Sequence, residues 1–164
     1  MEFENVFMGD SITAGWAVPG RNLGVPGNTT AQMAQRFPVE VPGHGYKTFV
    51  VLGGANDVLQ GVPIAETVSN LAAMAKTARQ AGMAVVVCEL TPNYEKGFRN
   101  AEGLSELNSG ILELAANEHY FVADFYDPMA GHPEYFRDGL HPNAAGYAVM
   151  NEALIPVLAR AHGE

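Results

Sequence analysis

Two apolar patterns alternate along the chain. Short runs rich in Val, Phe and Leu, bounded by Gly, Pro or Asn, occupy residues 5–8 (NVFM), 22–25 (NLGV), 49–53 (FVVLG), 84–90 (AVVVCEL) and 120–125 (YFVADF). Their length and near-continuous apolarity predict five buried strands of the kind found in a parallel sheet. Between the third and fourth runs the period changes. Ile64, Val68, Leu71, Ala75 and Ala78 recur at steps of four, three, four and three, with Pro63 in front and Gly82 behind, which predicts an amphipathic helix over residues 63–81. Leu104, Leu107, Ile111 and Leu114 repeat that period before the fifth strand. Residues 144 to about 162 predict a terminal helix with Pro156 as a point of bending. Strands alternating with helices predict a single α/β domain over residues 1–164, three layers deep, with a five-stranded parallel sheet. The polar segment 91–103 (TPNYEKGFRNAEG) is long enough to be a functional loop.

Composition narrows the partners. The chain has 164 residues, 48% hydrophobic and 16% charged, enough apolar material for one core. A formal charge of −9 repels phosphate backbones and anionic headgroups, so small neutral substrates are expected rather than nucleic acid or a membrane surface. The one cysteine, Cys88, lies inside an apolar run and is expected to be a buried, unreactive thiol. The opening MEFENVF has no apolar stretch typical of a leader, and no segment approaches membrane-spanning length, so a cytoplasmic location is the expectation.

Ligand chemistry in such a sheet collects beyond the carboxyl ends of the strands. Four of the five strands deliver polar residues there: Gly9-Asp10-Ser11, Pro26-Gly27-Asn28-Thr29, Gly54-Ala55-Asn56-Asp57 and Asp138-Gly139-Leu140-His141. A serine hydroxyl needs a base during attack, which an imidazole supplies, and a carboxylate on the second ring nitrogen fixes its tautomer. Ser11, His141 and Asp138 fit these roles as nucleophile, base and orienting acid. Charge developing on a substrate carbonyl needs preorganised donors. The Ser11 N–H, the Gly27 N–H and the Asn56 side-chain amide are available for it. Gly27 is preferred to Gly24 because it directly precedes Asn28-Thr29-Thr30, caps for a helix over residues 30–36.

These blocks resemble the SGNH hydrolases, also called the GDSL esterase/lipase family: GDSIT (9–13), NLGVPGNTT (22–30), LGGAND (52–57) and DGLHPNAAGY (138–147), in chain order. The resemblance implies a flavodoxin-like sheet with helices on both faces, Ser11 as nucleophile, Gly27 and Asn56 as oxyanion donors, and Asp138 with His141 completing a triad. It also implies action on acyl esters, thioesters or acetylated sugars without a metal or organic cofactor. One departure stands out. Only 15 residues separate Ser11 from Gly27, where larger relatives insert a wall for the acyl pocket. The expected cleft is open and shallow, or completed by a neighbouring subunit in a homo-oligomer.

The expected function is therefore a serine esterase acting on short-acyl esters, either acetylated carbohydrate or small aryl and alkyl esters. An acyl thioesterase, a lysophospholipase and an O-acyltransferase use the same triad. Two readings belong to other classes. Asp124, Asp127, His132, Asp138 and His141 form a carboxylate and imidazole set that a metal-assisted hydrolase would use, although their spacing is irregular. A carbohydrate- or phosphate-binding module would keep the same frame without turnover. Trp16, Tyr94 and His132 are the candidates for substrate contact, against core packing for the aromatics and plain solvation for His132. Asp10 is read as holding its turn and Asp57 as a turn and cap residue.

Overall fold

The computed structural model describes residues 4–163; residues 1–3, where the reading of the opening segment begins, lie outside them. Five strands, β1 (Asn5–Gly9), β2 (Arg21–Gly24), β3 (Thr48–Leu52), β4 (Ala84–Glu89) and β5 (Phe121–Asp124), form one sheet in the order β2-β1-β3-β4-β5. Every neighbouring pair is parallel. β1 and β3 lie inside the sheet with all five residues of each buried, which is why they read as unbroken apolar runs. β2 closes an edge, is only partly buried and carries the polar sequence RNLG.

The chain steps outward from β1 to β2, then returns past β1 to build β3, β4 and β5. That reversal puts the crevice between the carboxyl ends of β1 and β3. On one face, α2 (Thr30–Glu40) packs against α4 (Ile64–Gln80) and α4 against α5 (Ala101–Glu118). On the other face, the turn after α1 (Ser11–Ala14) meets α6 (Ala144–Ala161) through the stacked rings of Trp16 and Tyr147. One contiguous core joins both layers to the sheet, including Phe7, Met33, Phe49, Leu107, Phe125 and Met150.

The helices differ from the sequence expectation at several points. α2 runs on to Glu40 with Pro38 inside it, and α6 is continuous through Pro156. In α4 the buried face includes Thr67 and Met74 while Val68 is half-buried, because the Thr67 hydroxyl finds an acceptor inside the protein. Residues 55–60, where only Asp57 is read as a turn and cap residue, form the short helix α3 (Ala55–Gln60), bounded by Gly54 at φ +125° and Gly61 at φ +72°. Among the described residues no helix is long and apolar enough to cross a membrane.

Candidate active site

β1 ends at Gly9, where no side chain fits: a Cβ would lie 2.1 Å from Thr13 Oγ1 and 3.1 Å from the Leu52 carbonyl oxygen. The chain therefore turns tightly into α1. Asp10 caps that helix, its carboxylate accepting the Ile12 N–H at 2.9 Å. Ser11 follows at the first helical position. Asn22 of β2 holds the far end of α1, its amide donating to the carbonyls of Thr13 (2.8 Å) and Trp16 (3.0 Å).

His141 arrives from 130 residues away on a narrow hairpin. Phe136 and Pro142 form an antiparallel bridge, the Arg137 N–H donates to the His141 carbonyl at 2.9 Å, and Gly139 takes the turn at φ +87°. Asn143 then caps α6 by accepting the Gly146 N–H. Two bonds dock α6 onto α1: the Tyr147 hydroxyl donates to the Ile12 carbonyl at 2.7 Å, and Trp16 Nε1 donates to Asn151 Oδ1 at 2.8 Å. The docking brings Ser11 Oγ to 2.9 Å from His141 Nε2.

On the other side of the ring, His141 Nδ1 lies 2.6 Å from Asp138 Oδ2, while Asp138 Oδ1 accepts the backbone N–H groups of His141 (2.6 Å) and Leu140 (3.0 Å). Desolvation pushes the Asp138 carboxyl upward, but the bonds from the His141 N–H, its ring and the Leu140 N–H outweigh it and hold the group at about 2. An ionised carboxylate only accepts. Nδ1 therefore carries the imidazole proton, and Nε2 is free to accept from Ser11.

Gly27 sits in a Val25-Pro26-Gly27-Asn28 turn closed by the Asn28 N–H on the Val25 carbonyl at 3.1 Å. Pro at the second position and Gly at φ +80° in the third are the residues that a type II turn requires. Among the described hydrogen bonds the Gly27 N–H has no acceptor, whereas the Gly24 N–H is taken by Asn22 Oδ1 at 2.8 Å. That difference favours Gly27 as a donor. Asn56, in the first turn of α3, is anchored by one amide hydrogen on the Asn28 carbonyl at 2.9 Å. Beside it, Asp57 is buried and accepts from the Thr30 N–H (2.8 Å), the Thr30 hydroxyl (2.6 Å) and the Thr67 hydroxyl (2.8 Å). Asp57 is thus a tie between α2, α3 and α4, beyond the turn-and-cap reading.

One substrate-contact expectation needs correction. Trp16 is 3% exposed, wedged edge-on against Phe7 and Phe125, so its ring belongs to the core. Tyr94 is exposed; its hydroxyl accepts the Gly131 N–H, its ring packs edge-on against Phe136, and its N–H donates to the Gly139 carbonyl. These contacts brace the hairpin. His132 is exposed, pairs with Glu134 at 2.9 Å and stacks on Tyr135. Among the described residues no group of three or more His, Cys, Asp or Glu is placed to hold a metal ion, so the acidic and imidazole set around Asp124 does not assemble. Sequence reasoning missed Asn22, Arg36 and Tyr147, whose bonds converge on the strand ends and α1.

Comparison with known proteins bears on the family and the fold. A model of the GDSL-like lipase/acylhydrolase family matches residues 17–149, a span that begins just after the Ser11 segment. An esterase of Pseudomonas aeruginosa, named TesA, is 30% identical over 84% of this chain and 68% of its own length. An arylesterase of Vibrio mimicus is 27% identical over 82% of this chain and 78% of its own length. The crystal structure of a GDSL-like lipase from Bacteroides thetaiotaomicron superposes with a TM-score of 0.88 at 27% identity, covering 96% of this chain and 88% of that one.

Proposed function

Because the chain belongs to the GDSL-like lipase/acylhydrolase family and is a serine ester hydrolase, we propose that it cleaves short-acyl esters, of acetylated carbohydrate or of small aryl and alkyl alcohols, through an acyl-enzyme on Ser11. The observation that carries this reading is the chain of contacts from Ser11 Oγ through His141 to Asp138, at 2.9 and 2.6 Å. Ser11 Oγ attacks the ester carbonyl carbon while His141 Nε2 takes its proton. The tetrahedral oxyanion is met by the N–H groups of Ser11 and Gly27 and by the Asn56 amide. His141 then protonates the departing alcohol, and water, activated by the same imidazole, releases the acid. Asp138 keeps the imidazole in the productive tautomer throughout.

One feature supports a short acyl group. The crossover after Ser11 contains a single four-residue helix, leaving little chain to wall a long pocket. A cytoplasmic site of action, supported by a lone buried cysteine, is checked by cell fractionation. A second copy completing the shallow cleft is checked by light scattering with and without substrate.

The deciding experiment is a rate profile over p-nitrophenyl esters from acetyl to dodecanoyl, with an acetylated xylo-oligosaccharide alongside, for the wild type and Ser11→Ala. Rates should be highest for acetyl and fall with chain length, and Ser11→Ala should be inert. A preference for long chains, acyl thioesters or lysophospholipids overturns the short-ester reading in favour of a thioesterase or lysophospholipase. Acyl product trapped on an added alcohol in place of water marks an O-acyltransferase. Saturable sugar or phosphate binding without turnover marks a binding module.

A further inference from the structure

Arg36 belongs to none of the four sequence blocks, yet its guanidinium bonds the segments that carry Ser11 and Gly27, and through Asn28 it bears on Asn56. From α2 its Nη2 donates to the carbonyls of Gly9 (3.1 Å) and Leu23 (2.7 Å), its Nε donates to Asn28 Oδ1 (2.8 Å), and its Nη1 pairs with Glu40 at 2.8 Å. The side chain is 19% exposed. Gly9 is the last residue of β1, two before Ser11. Leu23 precedes the turn that presents Gly27, and Asn28 closes it. The Asn28 carbonyl in turn anchors the Asn56 amide at 2.9 Å.

We propose that Arg36 is the positioning residue of the oxyanion hole, fixing the Ser11, Gly27 and Asn56 donors relative to one another through Gly9, Leu23 and Asn28. The inference rests on the proposed function for what these donors do, and on geometry alone for what holds them. A planar guanidinium carries five N–H donors in fixed directions and spans three separate acceptors. A lysine ammonium is a point charge on a flexible stem and keeps one or two of these contacts. Donor placement matters because stabilisation of the oxyanion depends on groups already aimed at it before charge develops. Arg36 touches no reacting atom, so its effect must appear in the chemical step.

The test uses the full chain with Arg36→Met and Arg36→Lys. With p-nitrophenyl acetate, kcat should fall about 10–100-fold in Arg36→Met and less in Arg36→Lys, with KM within about two-fold. The inhibition constant of a phenylboronic acid, whose tetrahedral adduct on Ser11 places an oxygen among the donors, should rise in step with the loss. In nitrogen-15 spectra the Gly27 amide and Asn56 side-chain signals should shift while those of His141 stay in place. Unchanged kcat in Arg36→Met, or lost kcat with unchanged boronate affinity, would overturn the proposal. If the Arg36 variants fail to fold, Asn28→Ala, which removes one acceptor only, should show the same pattern at about 3–10-fold. No change there overturns it equally. A wild type inert towards every ester counts against the proposed function, and the Gly27 and Asn56 signals then decide the positioning role by themselves.

Discussion

On the proposed donor side of the site, Gly27 and Asn56 rest on polar ties, part-buried for Arg36 across two strand ends and for Asn28 against Asn56, and buried for Asp57 binding α2 and α4 together. On the acid–base side, Asp138 and His141 stand on a hairpin with side chains 46% and 23% exposed, held by backbone contacts and the docking of α6. The contrast follows the chemistry. Dipoles that meet a developing charge work best when their orientation is fixed in advance. An imidazole that takes a proton from one oxygen and delivers it to another needs hydrogen-bond reach of both and a fixed tautomer. The contrast predicts that the fold stands when the base is removed.

The largest effect that tests this division is His141→Ala. Removing the base should lower kcat by ~10⁴-fold or more, while the melting temperature, read by circular dichroism, moves by less than about 2 °C. Unfolding together with inactivation would break the contrast, because it would make the arm a structural element. Next in size is Asn56→Ala, which should retain the fold and lose ~100-fold in kcat. Its KM for p-nitrophenyl acetate should hardly change, since in the proposed role the amide meets the oxyanion and not the ground-state ester. Unchanged turnover would remove Asn56 from the donor set.

The fold is legible along the chain because its inner strands are buried on both faces, and the proposed site residues are read from blocks at strand ends and on the hairpin. Ser11, Gly27, Asn56, Asp138 and His141 all follow directly on such ends or on the terminal hairpin. What escapes is held by long-range bonds. Asp57 reads as a turn and cap residue because Asp favours turns; it lies in a short helix bounded by two positive-φ glycines, which it ties to α2. Trp16 reads as a binding aromatic because nothing local shows that its indole N–H meets Asn151, 135 residues away. Arg36 sits on a short helix like any solvated cation, and its partners are carbonyls at the ends of two strands. The edge strand β2 is the weakest of the five signals because half-burial leaves its residues polar.

Two glycines sharpen the comparison. At Gly139 a Cβ would lie 2.6–2.7 Å from Tyr94 C, Tyr94 O and Glu95 N, backbone atoms that cannot rotate aside, and φ is +87°. Gly139→Ala must therefore move the hairpin off its seat and should lower kcat about tenfold. At Gly27 nothing lies within 4 Å of the corresponding Cβ. Gly27→Ala meets only the φ +80° penalty, of about 1 kcal/mol, and keeps its N–H, so kcat should fall less than about three-fold. A reversed order of the two would mean that the donor turn, and not the arm, is the more easily displaced.

The smallest effect concerns Asp10, which lies at the joint between the two regions. Its carboxylate caps α1 beneath Ser11 and faces His141 and Asp57, with Tyr147 nearby on α6. Burial pushes its pKa up from 3.8 to about 6, against the opposing pull of the Ile12 N–H and His141. The folded protein therefore holds this proton more tightly than the unfolded chain. The resulting stability is full below pH 3.8 and is lost as the pH rises through about 6. Asp10→Asn keeps an oxygen for the cap and cannot ionise. Relative to wild type it should be unchanged near pH 4 and more stable near pH 8 by about 1–3 kcal/mol, read from urea melts at both values. A difference that stays flat between those pH values would mean that the ionised carboxylate is fully compensated by His141 and the α1 N–H groups. Asp10 would then belong to the fixed donor side, with no charge stored between the nucleophile and its base.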